Sequence, residues 1–505
     1  MNSEAMALVG PSIQWFNISP LLALLAGALL LLVVGALTPQ WPRGLYAAVS
    51  CATSTVAGIL AFVLWGDVVD GKPLTLIGGA LSLDRLALFA TITICIALAL
   101  VSLITNDYLH REGQDAPEVY ALFLIAAIGA VIMVSANDLL VLFLGLEILS
   151  LSLYVLAASN RNKAKSEEAG LKYFILGGFS SAFFLYGVAL VFGAVGSTNF
   201  GKIAGVLANE QTIPNNDALL LVGIGLLLVG FAFKVSLVPF QMWTPDVYEG
   251  APTPVTAYLA SIGKVAALGA MIRVFVVAFP ARMDDWRPAI TVLALLTLVI
   301  GAVLAVVQTD VKRMLAYSSI SHAGFMLVGL EAASHRGSLG ANTGVSATLT
   351  YLLIYSVIVV GTFGVVSLAA GLGDTATSVE DMRGLAKRRP ALALGLTVLL
   401  LAQAGVPLTS GFVAKFGVIA SAVNVGSYAL AVAAMVSAVI AAFLYLRIMV
   451  SVWLHDPNDA SPLPVPLAST LAIGFAVAFT LAIGFFPGWL LDTARDLAQF
   501  ASLQF

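Results

Sequence analysis

Long apolar runs recur along the whole chain and constrain its fold more than any other feature. The protein has 505 residues, of which 60% are hydrophobic and 10% are charged, whereas ordinary soluble domains carry about 25% charged residues. A helix that crosses a bilayer needs about 20 apolar residues, and on that measure we count about fourteen spans. The sequence therefore predicts an all-α polytopic membrane protein. The predicted spans are 18–37, 44–65, 82–105, 117–135, 138–158, 170–196, 217–241, 254–279, 286–307, 311–331, 345–371, 391–418, 426–452 and 464–488.

The residues that hold redox centres are scarce in this chain. Cys51 and Cys95 form no CxxC pair, and the four histidines are scattered, so the sequence lacks the ligands of an iron–sulfur cluster or a haem. It also contains no phosphate-binding glycine loop of the Walker or dinucleotide type. We therefore expect no metal and no cofactor in this chain, and no nucleic acid as a partner.

Two parts of the sequence repeat one another. Residues 128–148 read IGAVIMVSANDLLVLFLGLEI, and residues 300–320 read IGAVLAVVQTDVKRMLAYSSI. At one constant offset the opening IGAV, Val134 and Val306, and Asp138 and Asp310 coincide. The repeat predicts two five-helix units at 117–279 and 286–452, preceded by three helices in 1–116 and followed by a last helix and tail in 453–505. An odd number of spans per unit makes the repeat inverted, which is typical of transport sites.

Four ionisable side chains lie deep inside predicted spans. Lys264 follows Pro254 by about ten residues, roughly 15 Å at helical rise, which is near the middle of the bilayer. Glu147 lies roughly 13–14 Å along its helix from Asp138. Lys234 and Lys415 complete the set. Because a charge at this depth is costly, such residues predict a functional site, with a purely structural carboxyl as the alternative for Glu147.

Arg273 and Arg447 also fall in apolar runs, but nearer the predicted helix ends. We interpret them as side chains that snorkel to the interface, or as marks of a misplaced loop boundary.

Helix breaks accompany two of the buried lysines. Pro239 follows Lys234 by five residues, and Pro407 precedes Lys415 in the run AGVPLTSGFVAKF. A proline frees backbone carbonyls, and at bilayer depth these need protein or a water-filled cavity as partner. The pair of breaks therefore predicts an internal hydrated path. Two packing kinks are the alternative interpretation.

Together these residues suggest proton transport. A nearby carboxylate favours the charged form of a lysine, so an ion pair of Glu147 with Lys234 would control when Lys234 releases its proton. Lys264 would pass the proton along the midplane, and Lys415 would be the last station. His322 is a candidate relay between them, because an unperturbed imidazole titrates near neutrality. A histidine bonded to a helix carbonyl remains an equal alternative.

Three motifs carry a resemblance to a known family. They are FKVSLVPFQMWTPDVYEGAPTPV, DVKRMLAYSSISHAG and AGVPLTSGFVAKF, and with them most of the chain resembles the antiporter-like membrane subunits of respiratory complex I. Within that family, the sequence DVYEGAPTPV and the lysine at position 415 resemble the N-type subunits. One departure is Gln241, where the family usually has histidine.

The resemblance implies a role for the chain and its residues. Glu147, Lys234, Lys264 and Lys415 match the ionisable residues of the family, which move protons outward. NADH, FMN, iron–sulfur clusters and quinone would belong to partner subunits. The implied partners are other membrane subunits of complex I, including a neighbouring antiporter-like subunit, in a bacterial plasma (inner) membrane.

Two other functions stay open from the sequence alone: a subunit of a multisubunit cation/proton antiporter without redox coupling, and a passive scaffold. The antiporter would be expected to carry an acid-rich Na⁺ site, whereas the predicted interior holds one carboxylate and several lysines.

Loops that follow odd-numbered spans carry more lysine and arginine than the others, so the positive-inside rule places both termini on the outer, periplasmic side.

Overall fold

The fold is a bundle of long helices with one small hairpin. A computed structural model describes residues 13–38, 41–42, 44–68, 73–114, 116–209, 217–335, 339–457 and 463–502. The first part of the bundle consists of α1 (Ser19–Leu37), α2 (Leu45–Trp65), an antiparallel hairpin of β1 (Leu74–Leu76) and β2 (Leu81–Leu83), and α3 (Arg85–Arg111).

Two five-span repeats follow. The helices of the first are α4 (Pro117–Ser135), α5 (Leu139–Ala157), α6 (Ala164–Val195), α7 (Phe200–Ala208), α8 (Asp217–Val235), α9 (Trp243–Gly250) and α10 (Thr253–Met271), which continues as π-helix over Ile272–Ala278. The helices of the second are α11 (Met283–Val306), α12 (Val311–Ala332), α13 (Leu339–Ala370), α14 (Leu385–Arg388), α15 (Pro390–Ala404), α16 (Ser410–Asn424) and α17 (Tyr428–Leu454). Finally come α18 (Leu467–Phe485) and α19 (Gly488–Ser502).

The expected number of spans is confirmed with adjustments. The described residues contain 12 helices long and apolar enough to cross a membrane. The more polar α12 makes a thirteenth crossing, and the half-helices α15 and α16 together make a fourteenth. The predicted spans 217–241 and 391–418 were too long as single helices, because each contains a break. The hairpin and the short helices α7 and α19 were not predicted, since none has the length of a span.

The repeat is built into matching helix starts. Asp138 caps α5 and accepts the hydroxyl of Thr198 at 2.6 Å, and the N–H of Leu139 donates to the Thr198 carbonyl. Asp310 caps α12 and makes the same two contacts with the loop that follows α13, at Thr377. An aspartate at a helix N-terminus satisfies free N–H groups. In both repeats, the capping aspartate also joins the start of the second helix to the loop that follows the third helix.

The repeat also recurs in the closest helix contacts. A Cβ on Gly129 would lie 2.5 Å from the amide nitrogen of Leu149, and a Cβ on Gly301 would lie 2.7 Å from that of Ser321. Glycine is required at both places, because the first two helices of each repeat touch backbone to backbone there.

Arg273 and Arg447 occupy equivalent places, and the snorkelling interpretation was wrong for Arg273. Arg273 donates through Nε to the carbonyl of Val134 at the end of α4, and Arg447 donates to that of Val306 at the end of α11. Arg273 is 1% exposed and forms a buried ion pair with Asp84. Each arginine therefore caps the first helix of its own repeat. Arg273 does so away from water, whereas Arg447 is half-buried.

The two repeats run in opposite directions through the bundle. Lys312, at the start of α12, donates to the carbonyl of Ala251 beside the start of α10. The end of α10 instead meets the end of α4, through Arg273 and Val134. We call the end of the bundle that holds β1, β2 and Asp138 the hairpin side, and the end that holds Asp310 and Asp374 the opposite side. The central 18 or so residues of α10 and of α13 are all buried, so the centre of the molecule lies between the repeats.

Candidate functional site

Both broken helices end in the same way at the centre of the bundle. α8 ends at Val235 and α15 ends at Ala404, and each is followed by a residue in the left-handed region, Ser236 at φ 71° and Gly405 at φ 86°. The hydrogen bonds around each end form a Schellman motif. Pro239 and Pro407 lie in the two breaks, as predicted.

A buried lysine caps each broken end. Nζ of Lys264 donates to the carbonyl of Val235 at 3.3 Å, and Nζ of Lys415 donates to that of Ala404 at 3.1 Å. Both lysines are almost fully buried. A helix end buried at bilayer depth needs such a donor, so the two lysines do equivalent work in the two repeats.

Lys264 also joins the repeats. Its Nζ donates to the carbonyl of Ser319 on α12 at 2.6 Å. The side chain therefore bridges α10, the broken end of α8 and α12. Among the described residues no carboxylate forms an ion pair with it.

Lys234 lies in the last turn of α8 and faces α5 and α6. Its Nζ donates to the hydroxyl of Ser150 at 2.8 Å and to that of Tyr173 at 3.1 Å. Tyr173 stacks on Trp243, with ring centroids 4.5 Å apart, which fixes its ring. The ammonium group thus has polar partners although it is buried.

Glu147 does not form the predicted contact ion pair with Lys234. The described residues contain no salt bridge between them, and Ser150, one turn further along α5, takes the place at Nζ. Oε1 of Glu147 is buried without a hydrogen-bond partner. A buried polar atom without a partner is costly, so the carboxyl is placed for a proton or a water molecule that the side chains around it do not supply.

His322 is the centre of a hydroxyl network between α12, α13 and α17. Its Nδ1 lies 2.6 Å from the hydroxyl of Tyr351, and its Nε2 lies 3.1 Å from that of Tyr445. Tyr445 is also 2.5 Å from the hydroxyl of Ser318. The alternative in which a helix carbonyl satisfies the ring is therefore wrong: both ring nitrogens contact hydroxyl groups.

The space between Lys264 and this network is polar as well. The Ser319 hydroxyl is buried with no hydrogen-bond partner among the described residues, although Tyr248 and Tyr355 lie close to it. Ser318 and Ser319 are consecutive on α12, so one turn of that helix serves both Lys264 and Tyr445. Hydroxyl groups arranged in this way can pass protons once water joins them.

Lys415 has an aromatic neighbour, Phe325, that it shares with His322. Its Nζ stands 4.8 Å from the ring centroid of Phe325, which lies one turn after His322 on α12. An ammonium group over an aromatic face is stabilised electrostatically. Phe325, whose ring centroid lies 6.3 Å from that of His322, therefore neighbours both side chains and stabilises the charge on Lys415.

Glu331 is a buried carboxylate that the sequence reasoning missed. It is 3% exposed near the hairpin-side end of α12. Oε1 accepts the hydroxyl of Ser427 at 2.8 Å, Nε2 of His335 lies 3.9 Å from it, and Oε2 is buried without a partner. The predicted span ended at this residue, so it was taken as a boundary.

An ionic cluster covers the opposite side of the first break. Lys172 and Arg313 both pair with Asp246 at 2.7 Å, and Arg313 and Lys165 both pair with Glu249. Partial burial alone would raise the pKa values of these two carboxyls, but the hydrogen bonds from the cations outweigh it and hold the pKa values below their ordinary range. Both carboxylates therefore stay ionised near neutral pH.

A second ionic cluster ties the repeats together at Asp374. Its Oδ2 accepts from the N–H and the hydroxyl of Thr253, at 3.0 and 2.8 Å, and lies 3.6 Å from Nζ of Lys312. Lys163 donates to its backbone carbonyl. No sequence pattern predicted this cluster, because its members come from four distant parts of the chain.

Comparison with known proteins identifies the family. Residues 136–441 match the family model described as NADH:quinone oxidoreductase/Mrp antiporter, transmembrane. A protein of Trichlorobacter lovleyi named NADH-quinone oxidoreductase subunit N is 39% identical over 93% of this chain and 94% of its own. The chain belongs to this family of membrane subunits. A second relative with the same name, from Salinispora arenicola, is 40% identical over 97% of this chain and 98% of its own.

Solved structures of the family share the fold. A chain of respiratory complex I from Thermus thermophilus with bound aureothin aligns with a TM-score of 0.78 and 32% identity, over 94% of this chain and 98% of that one. A chain of the Mrp complex from Dietzia aligns with a TM-score of 0.82 at 21% identity, over 96% and 97% of the two chains. The latter match concerns the fold alone.

Proposed function

We propose that this protein is the proton-translocating, N-type membrane subunit of a bacterial NADH:quinone oxidoreductase. The observation that carries the proposal is a row of ionisable side chains inside two inverted repeats, of which all but Glu147 lie beside a helix break or in a hydroxyl network. The row is Glu147, Lys234, Lys264, His322 and Lys415. The names of the relatives and the resemblance of the three motifs support NADH:quinone oxidoreductase as the enzyme to which this subunit belongs.

Glu147 and Lys234 form the first pair of stations. Ser150 now holds the Lys234 ammonium group one turn from the carboxyl, and Glu147 keeps an oxygen without a partner. A shift of the Lys234 side chain by about one helical turn, roughly 5 Å, would bring it from Ser150 to Glu147. Approach of the carboxylate stabilises the charged lysine, and separation favours release of its proton.

Lys264 then passes the proton between the repeats. Its amine remains bonded to the carbonyls of Val235 and Ser319 in both protonation states, since a neutral amine still donates. The released proton moves through water near Ser319 to the hydroxyls of Ser318 and Tyr445, and from there to His322. A tyrosine hydroxyl accepts one proton as it donates another, so Tyr445 needs no charge of its own.

Lys415 takes the proton from the His322 network, and Glu331 provides the exit. α16 runs from the break toward the hairpin side, and Glu331 lies near that end of α12 with one unpaired oxygen. Protons would leave at the hairpin side, which holds the start of α1 and the end of α18 and is the outer, periplasmic side in our assignment.

The energy comes from other subunits. NADH, FMN, iron–sulfur clusters and quinone would reside in partner subunits, and this chain would receive the free energy of quinone reduction through adjacent membrane subunits, one of them antiporter-like. We also propose the division at 1–116, 117–279, 286–452 and 453–505 as the functional units.

A cation/proton antiporter without redox coupling is the second candidate, since an Mrp chain shares the fold. The row of stations holds three lysines and one carboxylate, and a cationic row repels Na⁺ while it can carry protons. The redox-coupled function is therefore favoured.

Inverted membrane vesicles separate the two functions. In vesicles with the assembled enzyme, NADH should drive internal acidification at the same rate with and without Na⁺. Glu147→Gln should abolish the part of the acidification carried by this subunit while the complex stays assembled, and Lys202→Gln, at an exposed lysine on α7, should change nothing. A Na⁺ gradient that drives proton movement without NADH, lost in Glu147→Gln, would instead establish the antiporter.

A further inference from the structure

The two capping arginines have very different surroundings. On the hairpin side, the chain itself covers Arg273. Asp84 accepts from Arg273 Nη2 at 2.5 Å, and the hairpin before it pairs with the end of α4: Leu81 bridges Ala136, and the N–H of Asn137 donates to Ala80. The end of the first repeat is thus closed by an extended segment that carries one carboxylate.

The equivalent place in the second repeat, on the opposite side, is open in the part of the chain that the structure describes. Arg447 contacts the carbonyls of Val306 and Gln308, at 3.2 and 2.7 Å, but no carboxylate pairs with it. Thr309 corresponds to Asn137, and it donates no backbone hydrogen bond like that of Asn137 to Ala80. Its own side chain is exposed.

A cavity of about 460 Å³ lies at this place. It is lined by Thr309, Ser378, Glu380, Arg383, Arg447 and His455, together with part of α17. Arg383 pairs with Glu380 at 3.2 Å, which leaves Arg447 as the excess positive charge at the cavity wall. The cavity thus offers a guanidinium group and a backbone edge, the same two groups that the hairpin and Asp84 use on the other side.

We infer that the Arg447 cavity is the docking site for an extended, carboxylate-bearing segment of a neighbouring subunit of the membrane complex. The first repeat shows which features the occupant should have. There, a short strand bonds to the residue before the capping aspartate, and a carboxylate pairs with the arginine. The partner's carboxylate pairs with Arg447, and its backbone accepts from the N–H of Thr309. An anionic lipid headgroup would pair with Arg447 but would offer no backbone strand to accept from the N–H of Thr309.

Site-specific photocross-linking in the purified, assembled complex tests this inference. A benzoylphenylalanine at Val450, which lines the cavity and is 43% exposed, should capture a peptide of another subunit that contains Asp or Glu. The same probe at Val439, 75% exposed on the same helix and outside the cavity, should capture lipid. Arg447→Ala should lower the yield at Val450 about ten-fold, the effect of losing roughly 1.4 kcal/mol, and Arg447→Lys should restore part of it.

Three results would overturn the inference. They are capture of lipid alone at Val450, capture only of a peptide of this same chain, and a yield that Arg447→Ala leaves unchanged in intact complex. Should Arg447→Ala prevent assembly, the probe at Val450 with Arg447 retained still decides by the identity of what it captures. None of these outcomes depends on Glu147 or on proton movement, so the docking site and the proposed function can fail separately.

Discussion

Lys264 allows the sharpest test of the transport row, because its structural and proton-carrying roles can be separated. The side chain makes two hydrogen bonds, to the carbonyls of Val235 and Ser319. Lys264→Met removes both donors. The Ser319 carbonyl lies inside α12 and keeps its intrahelical hydrogen bond, whereas the Val235 carbonyl at the broken end of α8 is left without a partner, which costs about 1–3 kcal/mol. Lys264→Arg keeps donors and charge, but a guanidinium group does not release its proton in a protein.

The three forms should therefore differ in stability and in pumping. In purified complex, Lys264→Met should lower the midpoint of thermal unfolding of the membrane part, and Lys264→Arg should change it much less. In inverted vesicles, both variants should lose the proton translocation that passes through this subunit. The assay compares the acidification rate per NADH oxidised, after native electrophoresis has established that the complex is assembled.

The control and the refuting result are both clear. Lys202→Met, at an exposed lysine, should match the wild type in both measurements. If Lys264→Arg translocates as many protons per NADH as the wild type, Lys264 is a structural cap of the broken helix α8 and the proton path through the midplane is wrong.

Further predictions concern other parts of the molecule. Arg273→Gln or Asp84→Asn alone should destabilise the assembled complex by about 3–5 kcal/mol, because each leaves an unpaired buried charge, and the double variant should lose less than the sum in a thermal unfolding cycle. Tyr445→Phe should keep the fold but interrupt the contact between His322 and Ser318, so vesicle acidification should fall while complex yield stays normal; unchanged acidification would remove Tyr445 from the path. Gly411→Ala should lower complex yield on native gels, since its Cβ would lie 1.7 Å from the carbonyl oxygen of Ala402. Glu331→Gln should slow acidification more than NADH oxidation, and equal slowing of both would argue against an exit role.

Much of the architecture was predictable from the sequence. The spans follow from the length of the apolar runs, and the fold class and the family are confirmed. The inverted repeat followed from a few coincident residues, and Asp138 and Asp310 indeed cap equivalent helices. The positions of the breaks also followed, because proline acts on its own backbone. The roles of Glu147, Lys234, Lys264, His322 and Lys415 in transport stay predictions.

The partners of the charged residues were less predictable. Arg273 was expected to snorkel, but its partner Asp84 lies 189 positions earlier in the chain. Lys234 was expected to contact Glu147, whereas Ser150 and Tyr173 hold it. Glu331 stood at the predicted end of a span and was passed over. For Arg273 and Lys234 the deciding neighbour comes from a distant part of the chain.

The sequence by itself determined how deep each charged residue lies, since rise per residue fixes depth once a span is recognised. It also determined where helices break and that the second half of the transport unit repeats the first. Only the tertiary structure decided that Lys264 and Lys415 cap the broken helices, and that the chain covers Arg273 but leaves Arg447 open among the described residues. The reason is physical: depth and breaks are properties of one helix, whereas a partner is set by how helices distant in sequence pack side by side.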